Sequence, residues 1–168
     1  ASGDNTARLW HMAAPDPAAS PLILRGHEAM ISALAVSPDG RWLATASEDK
    51  TARLWDRQGQ ELARLNHDSS VFRVVFSPDA QGLATASYDK TAILWDLSDR
   101  TRPHQLGTPF TGHTDGVFAV AFSPDGRWIA AAGVTGTNDA ANIFVFRADG
   151  TAAIDPSGAL PDGSKFSG

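Results

Sequence analysis

No cysteine occurs among the 168 residues. The chain therefore carries no disulfide framework, no thiolate zinc site and no cysteine nucleophile, although this absence fits either redox compartment. No apolar run approaches the roughly 20 residues that cross a bilayer as a helix, and the first ten residues hold no signal-peptide pattern. A soluble, cytoplasmic chain without a membrane partner is the expectation. Basic clusters are missing too: 14 Lys and Arg against 19 Asp and Glu give a net charge of −5. The positive side chains are scattered singly, which argues against nucleic acid, because a phosphate-tracking surface needs them together. There is no charge block, no low-complexity tail and no segment with helical periodicity. A glycine-rich phosphate loop leading into a helix is likewise absent.

What the chain does have is one stretch written twice. Residues 37–56 read SPDGRWLATASEDKTARLWD and residues 77–96 read SPDAQGLATASYDKTAILWD, which sets Trp55 and Trp95 40 residues apart. Within each copy, short β-type runs alternate with turn signals. Ile31–Val36 is a first strand, stopped by Ser37-Pro38-Asp39-Gly40, in which proline fixes φ and glycine tolerates φ > 0. Trp42–Ser47 is a second strand, Glu48-Asp49-Lys50 a tight turn, 51–55 a third strand and 61–65 a fourth. The second copy repeats this at Val71–Phe76, 83–87 and 91–95. A third begins at Gly112-His113 and runs through Val117–Phe122 and 127–132 to a strand at 142–146, after a Gly-Thr-Asn insertion. The first ten residues match the middle of the pattern, and Pro161-Asp162-Gly163 matches its turn, so the two termini look complementary. The resulting division is a partial repeat at 1–24, repeats at 25–65 and 66–110, a divergent repeat at 111–150 and a partial or irregular tail at 151–168.

Four strands per unit, a Gly-His opening, a Trp-Asp close and a period near 40 resemble the WD-repeat β-propeller family over roughly residues 1–147. The resemblance implies an all-β propeller built from four-stranded antiparallel blades, about four repeats forming a partial ring or half of a larger one. It also implies a buried hydrogen-bonded network of His27, Ser47, Asp49 and Trp55 in the first full unit, and of His67, Ser87, Asp89 and Trp95 in the second. Such groups are buried together because each one left unpaired costs roughly 1–3 kcal/mol. The third unit keeps His113 but carries Gly133 and Phe146 at the Ser and Trp positions, so its network should be missing and its blade looser.

His, Asp and Ser recurring together also invite a catalytic triad or a shared metal ion. A nucleophilic site occurs once per fold, whereas this set recurs at the repeat period, and one histidine per blade is too far from the next to share a zinc ion. No catalytic residue, metal ligand or cofactor is assigned. The Pro-Asp-Gly turns lack the alternating carboxylates of a calcium loop. In the family, two positions per repeat point to the top face around the central channel. Here they are Ser32, Phe72 and Phe118, and Gly3, Glu48 and Tyr88. Ser32, Glu48, Phe72, Tyr88 and Phe118 are therefore the candidate partner-binding residues, the alternative being that the two phenylalanines only pack between blades. The expected function is a non-enzymatic scaffold binding a protein or peptide on that face. A second reading is a regulatory or sensor unit of a larger bacterial signalling protein, a kinase or NTPase with catalysis elsewhere. Four repeats are few for a ring, so the remaining blades are expected from a longer chain or from a second copy completing eight. Identical residues in the two clean copies are expected to be architecture, and the differing pairs, Ser32 against Phe72 and Glu48 against Tyr88, are where recognition is expected.

Overall fold

A computed structural model describes residues 3–10, 21–134 and 141–149. These residues fold entirely as antiparallel strands and turns. Strands β1 (Ala7–Leu9) and β2 (Leu22–Leu24) form a two-stranded sheet. The first blade is β3 (Ile31–Val36), β4 (Trp42–Ser47), β5 (Thr51–Asp56) and β6 (Glu61–Asn66), in that spatial order. The second is β7 (Val71–Phe76), β8 (Gly82–Ser87), β9 (Ala92–Asp96) and the short β10 (His104–Gln105). The third has β11 (Val117–Phe122), β12 (Trp128–Val134) and β13 (Ala141–Arg147). The expectation for residues 151–168 falls outside the described residues.

The turns explain why each run of sequence reverses where it does. Ser37, Ser77 and Ser123 each bind the Asp two residues on and accept the backbone amide of Trp42, Gly82 and Trp128 respectively. The turn then needs a left-handed residue, supplied by Gly40 at φ 67° and Gly126 at φ 71° but by Ala80 at φ 59° in the second blade. At the other end, Lys50 and Lys90 take φ 70° and 73°, closing the turn that Asp49 and Asp89 cap through the amides of Thr51 and Thr91.

Small side chains on the middle strands let the blades stack. Ala44, Ala46 and Ala52 of the first blade and Ala84, Ala86 and Ala92 of the second are buried in the apolar layers between blades. Val74 and Phe76 of the second blade are 2% and 9% exposed against the first. Their counterparts Leu34 and Val36 are 46% and 54% exposed, because β1 and β2 cover only the part of that face around Ile31, Leu43 and Trp55. Blade-on-blade burial is what holds such an array together.

Candidate functional site

Two sets of residues meet the end of the blades where β3, β7 and β11 begin, the first running inward from there to Trp55 and Trp95. The first is buried. In the first blade, Trp55 Nε1 donates to Thr45 Oγ1 at 2.9 Å, Thr45 lies 2.7 Å from His27 Nε2, and His27 Nδ1 lies 2.7 Å from Asp49 Oδ2. One assignment satisfies every atom: indole N–H to hydroxyl, hydroxyl to Nε2, and Nδ1–H to carboxylate, with a neutral imidazole. The second blade repeats it with Trp95, Thr85, His67 and Asp89 at 2.9, 2.7 and 2.8 Å. His27, Asp49, Trp55, His67, Asp89 and Trp95 thus come together as expected, but Ser47 and Ser87 do not join them. Their hydroxyls donate instead to the carbonyls of Ala29 and Ser69 and accept the amides of Asp49 and Asp89. Thr and Ser stand two apart on one strand, so both point to the same face, and only the depth of the tryptophan selects the threonine.

Arg53 extends the first network. It is 2% exposed, with Nη1 2.6 Å from Glu61 Oε2 and Nη2 3.4 Å from Asp49. Gly26, at φ 154°, makes room for it: a Cβ there would lie 2.5 Å from Arg53 Nη1. The second blade has Ile93 at this position, buried and apolar. This difference between the copies is therefore internal and has no part in surface recognition.

The third blade lacks the relay. Ala131 takes the place of the threonine and Phe146 that of the tryptophan. His113 is buried against the edge of Phe144 at 4.6 Å, and among the described residues neither of its ring nitrogens has a hydrogen-bond partner.

These environments set the charge states. Burial lowers the His113 pKa from its usual 6.5, and burial outweighs the Asp49 carboxylate in lowering His27. Burial alone would raise Asp49, but the Thr51 hydroxyl, His27 and the Glu28 amide overcome it and hold the carboxyl at about 2. Asp89 is held well below the usual range in the same way, burial being overcome chiefly by His67 and Thr91. Folded histidines with lowered pKa bind fewer protons than the unfolded chain, so their contribution is complete above pH 6.5 and fades below it. The aspartates contribute fully above their ordinary 3.8, and that contribution fades as pH falls towards 2. Urea midpoints measured from pH 8 to pH 3 should accordingly fall in two stages, and His113→Leu should flatten the first. An unchanged first stage would remove His113 as a contributor.

The second set is exposed. The ladders β3/β4, β7/β8 and β11/β12 each slip by one residue between positions 31 and 33, 71 and 73, and 117 and 119. Ser32, Phe72 and Phe118 are the extra residues of three β-bulges, a device that re-aims a side chain. Phe72 and Phe118 converge with Tyr88 from the β8–β9 turn. Ring centroids are 4.8 Å apart for Phe72 and Phe118, 6.0 Å for Phe72 and Tyr88, and 6.3 Å for Tyr88 and Phe118. Tyr88 and Phe118 remain 50% and 40% exposed. Gly116 lies under the tyrosine, where a Cβ would come within 2.5 Å of Cδ2. Ser32 behaves differently: it is half-buried and its hydroxyl donates to Val71 O and Ala46 O, tying the first blade to the second. Glu48 is exposed, with its amide on Met30 O, and Gly3 is also exposed.

A 42-residue stretch, 25% of the chain, is 48% identical to the ribosome biogenesis protein BOP1 of Rattus norvegicus, covering 6% of that protein. A 65-residue stretch, 38% of the chain, is 42% identical to the nuclear distribution protein PAC1 of Yarrowia lipolytica, covering 14% of it. A 40-residue stretch is 45% identical to the probable cytosolic iron-sulfur protein assembly protein 1 of Botryotinia fuckeliana, 24% of this chain and 9% of that one. The chain thus spans a small part of each relative it matches. The family model described as WD domain, G-beta repeat, matches residues 20–56, 59–96 and 104–139, which include the three turns and both complete Trp–Thr–His–Asp relays, and the chain belongs to that family.

Proposed function

We propose that the protein is a non-enzymatic scaffold that binds a protein or peptide segment on the face formed by Phe72, Tyr88 and Phe118. The contiguous aromatic cluster carries this reading. Three rings from two blades are held against one another at a blade junction, and two of them keep about half of their surface in water. Exposed aromatics that are already packed in place make efficient anchors, because they bury large apolar area without having to be ordered on binding. Glu48 stands on the same face and offers a charge at its edge. WD-repeat chains serve generally as protein-interaction platforms, and the names of the matched relatives, which speak of ribosome biogenesis, nuclear distribution and iron-sulfur protein assembly, are in keeping with that role.

The test is photo-crosslinking from position 88 in cell extract, followed by titration of the captured protein. Phe118→Ala and Tyr88→Ala should each weaken binding about tenfold or more, the range of an interface hot spot, while the unfolding midpoint moves little. Undiminished affinity in both variants would remove the site.

A further inference from the structure

The blade end opposite the aromatic cluster carries a second candidate site, independent of the first. A groove of about 300 Å³ opens between the second and third blades, lined by Gly82, Leu94, Leu106, Phe122 and Ala148 together with the acidic residues Asp79 and Asp96. Its origin is visible in the repeat. At the preceding junction the place of Gly82 is held by Trp42, and the place of Ala148 by Leu97, which is 0% exposed. The register confirms the equivalence: Trp42 pairs with Asp56 as Gly82 pairs with Asp96, and the amides of Leu97 and Ala148 bond to the carbonyls of Gln81 and Arg127. Two large side chains have become small ones, and among the described residues a filled junction has become an open one.

The filled junction also shows what chemistry that space accepts. Over Trp42 lies the guanidinium of Arg100, 4.7 Å from the ring centroid, with Nη2 on Ala80 O. Arg100 and Arg41 both act on Asp39, and Arg127 acts on Asp125. Of these three turn aspartates, Asp79 is the one followed two residues on by glutamine rather than arginine; among the described residues only Asp39 of the three has an ion pair, with Arg41 at 4.0 Å. Gln81 stands where the other turns carry Arg41 and Arg127, and among the described residues no cation lies within ion-pair distance of the Asp79 carboxylate. Its Oδ1 takes the Ser77 hydroxyl and the Gln81 amide. An apolar slot lacking an indole and a leucine side chain, beside a carboxylate lacking its arginine, is a negative image of the neighbouring junction.

We propose that this groove docks a peptide segment of a partner protein in which a bulky apolar side chain, best an indole, stands next to an arginine. The apolar group enters over Gly82 and Ala148 and the guanidinium meets Asp79.

The probes are acetyl-Trp-Arg-amide and acetyl-Trp-Glu-amide, titrated into the whole ¹⁵N-labelled chain. The arginine peptide should shift the amide signals of Gly82, Gly126 and Ala148, and the glutamate peptide should bind roughly two- to fivefold more weakly or not at all, the range of an exposed ion pair. Gly82→Trp, which restores the residue of the first blade, should abolish the shifts. Gln81→Arg, which gives Asp79 its own cation, should weaken them without touching the groove. Absence of shifts at the groove with saturating arginine peptide, equal binding of the two peptides, or intact binding in Gly82→Trp would each overturn the proposal. None of these outcomes bears on the aromatic face, where Tyr88 and Phe118 signals serve as the internal control.

Discussion

Replacing Thr85 by valine is expected to lower the stability of the chain by about 2–4 kcal/mol, although the two side chains are nearly the same size. The hydroxyl serves two buried partners at once, accepting from Trp95 Nε1 and lying 2.7 Å from His67 Nε2. Valine leaves both unpaired in an environment with no access to water, and each such group costs roughly 1–3 kcal/mol. Thr85→Ser keeps the hydroxyl and should cost about 1 kcal/mol, mostly for the lost methyl group. Ser87→Ala, two residues on, removes a hydroxyl that serves only the Ser69 carbonyl and the Asp89 amide, and should also cost about 1 kcal/mol. Urea unfolding followed by tryptophan fluorescence separates these variants. If Ser87→Ala were the more damaging change, the relay would run through serine and the assignment to threonine would be wrong.

Gly133→Ala is expected to cost about 1–3 kcal/mol, the usual range for a methyl group forced into filled space. An added Cβ would stand 2.6 Å from the backbone oxygen of Gly116 and 2.8 Å from His113 Nδ1. A backbone carbonyl cannot rotate away as a side chain can, so β11 must shift relative to β12. That shift reaches the surface, because Gly116 lies directly beneath Tyr88. The chain has one tyrosine, so its ring resonances report on the cluster without ambiguity. They should move in Gly133→Ala. They should stay in place in Gly40→Ala, where the added methyl meets nothing within 4 Å and the cost is that of a positive φ alone. Tyrosine signals untouched by Gly133→Ala would show that the third blade is not coupled to the aromatic face.

How far the sequence could be read depended on whether a feature was local. The Ser37, Ser77 and Ser123 turns, the strand limits and the Gly-His and Trp-Asp marks were legible because each is decided within a few residues by backbone preference or side-chain alternation. The partnership of His27, Asp49 and Trp55 was legible from family resemblance. The hydroxyl between them was not, since Thr45 and Ser47 face the same way and only three-dimensional depth separates them. Arg53 was passed over because a charged residue in an exposed-looking alternation is ordinarily at the surface, and its burial depends on Glu61 and Gly26 arriving from elsewhere. A difference between the copies does not by itself mean exposure: Glu48 against Tyr88 is at the surface, whereas Arg53 against Ile93 lies in the interior. The groove below the second blade needed both neighbours in view, because Gly82 alone reads as a weak strand residue.

The three bulges have a consequence for how this architecture can change. A residue that pairs across a ladder is constrained by its opposite number, and altering it disturbs the sheet. A bulge residue is surplus to the ladder, so Ser32, Phe72 and Phe118 can differ freely while the strands on either side keep the same register. Each blade thus offers one interchangeable slot at the rim, filled by a hydroxyl that clips two blades together in one case and by an aromatic ring in the next. The rim of the blades can thus change its chemistry one residue at a time while the sheet beneath it stays as it is.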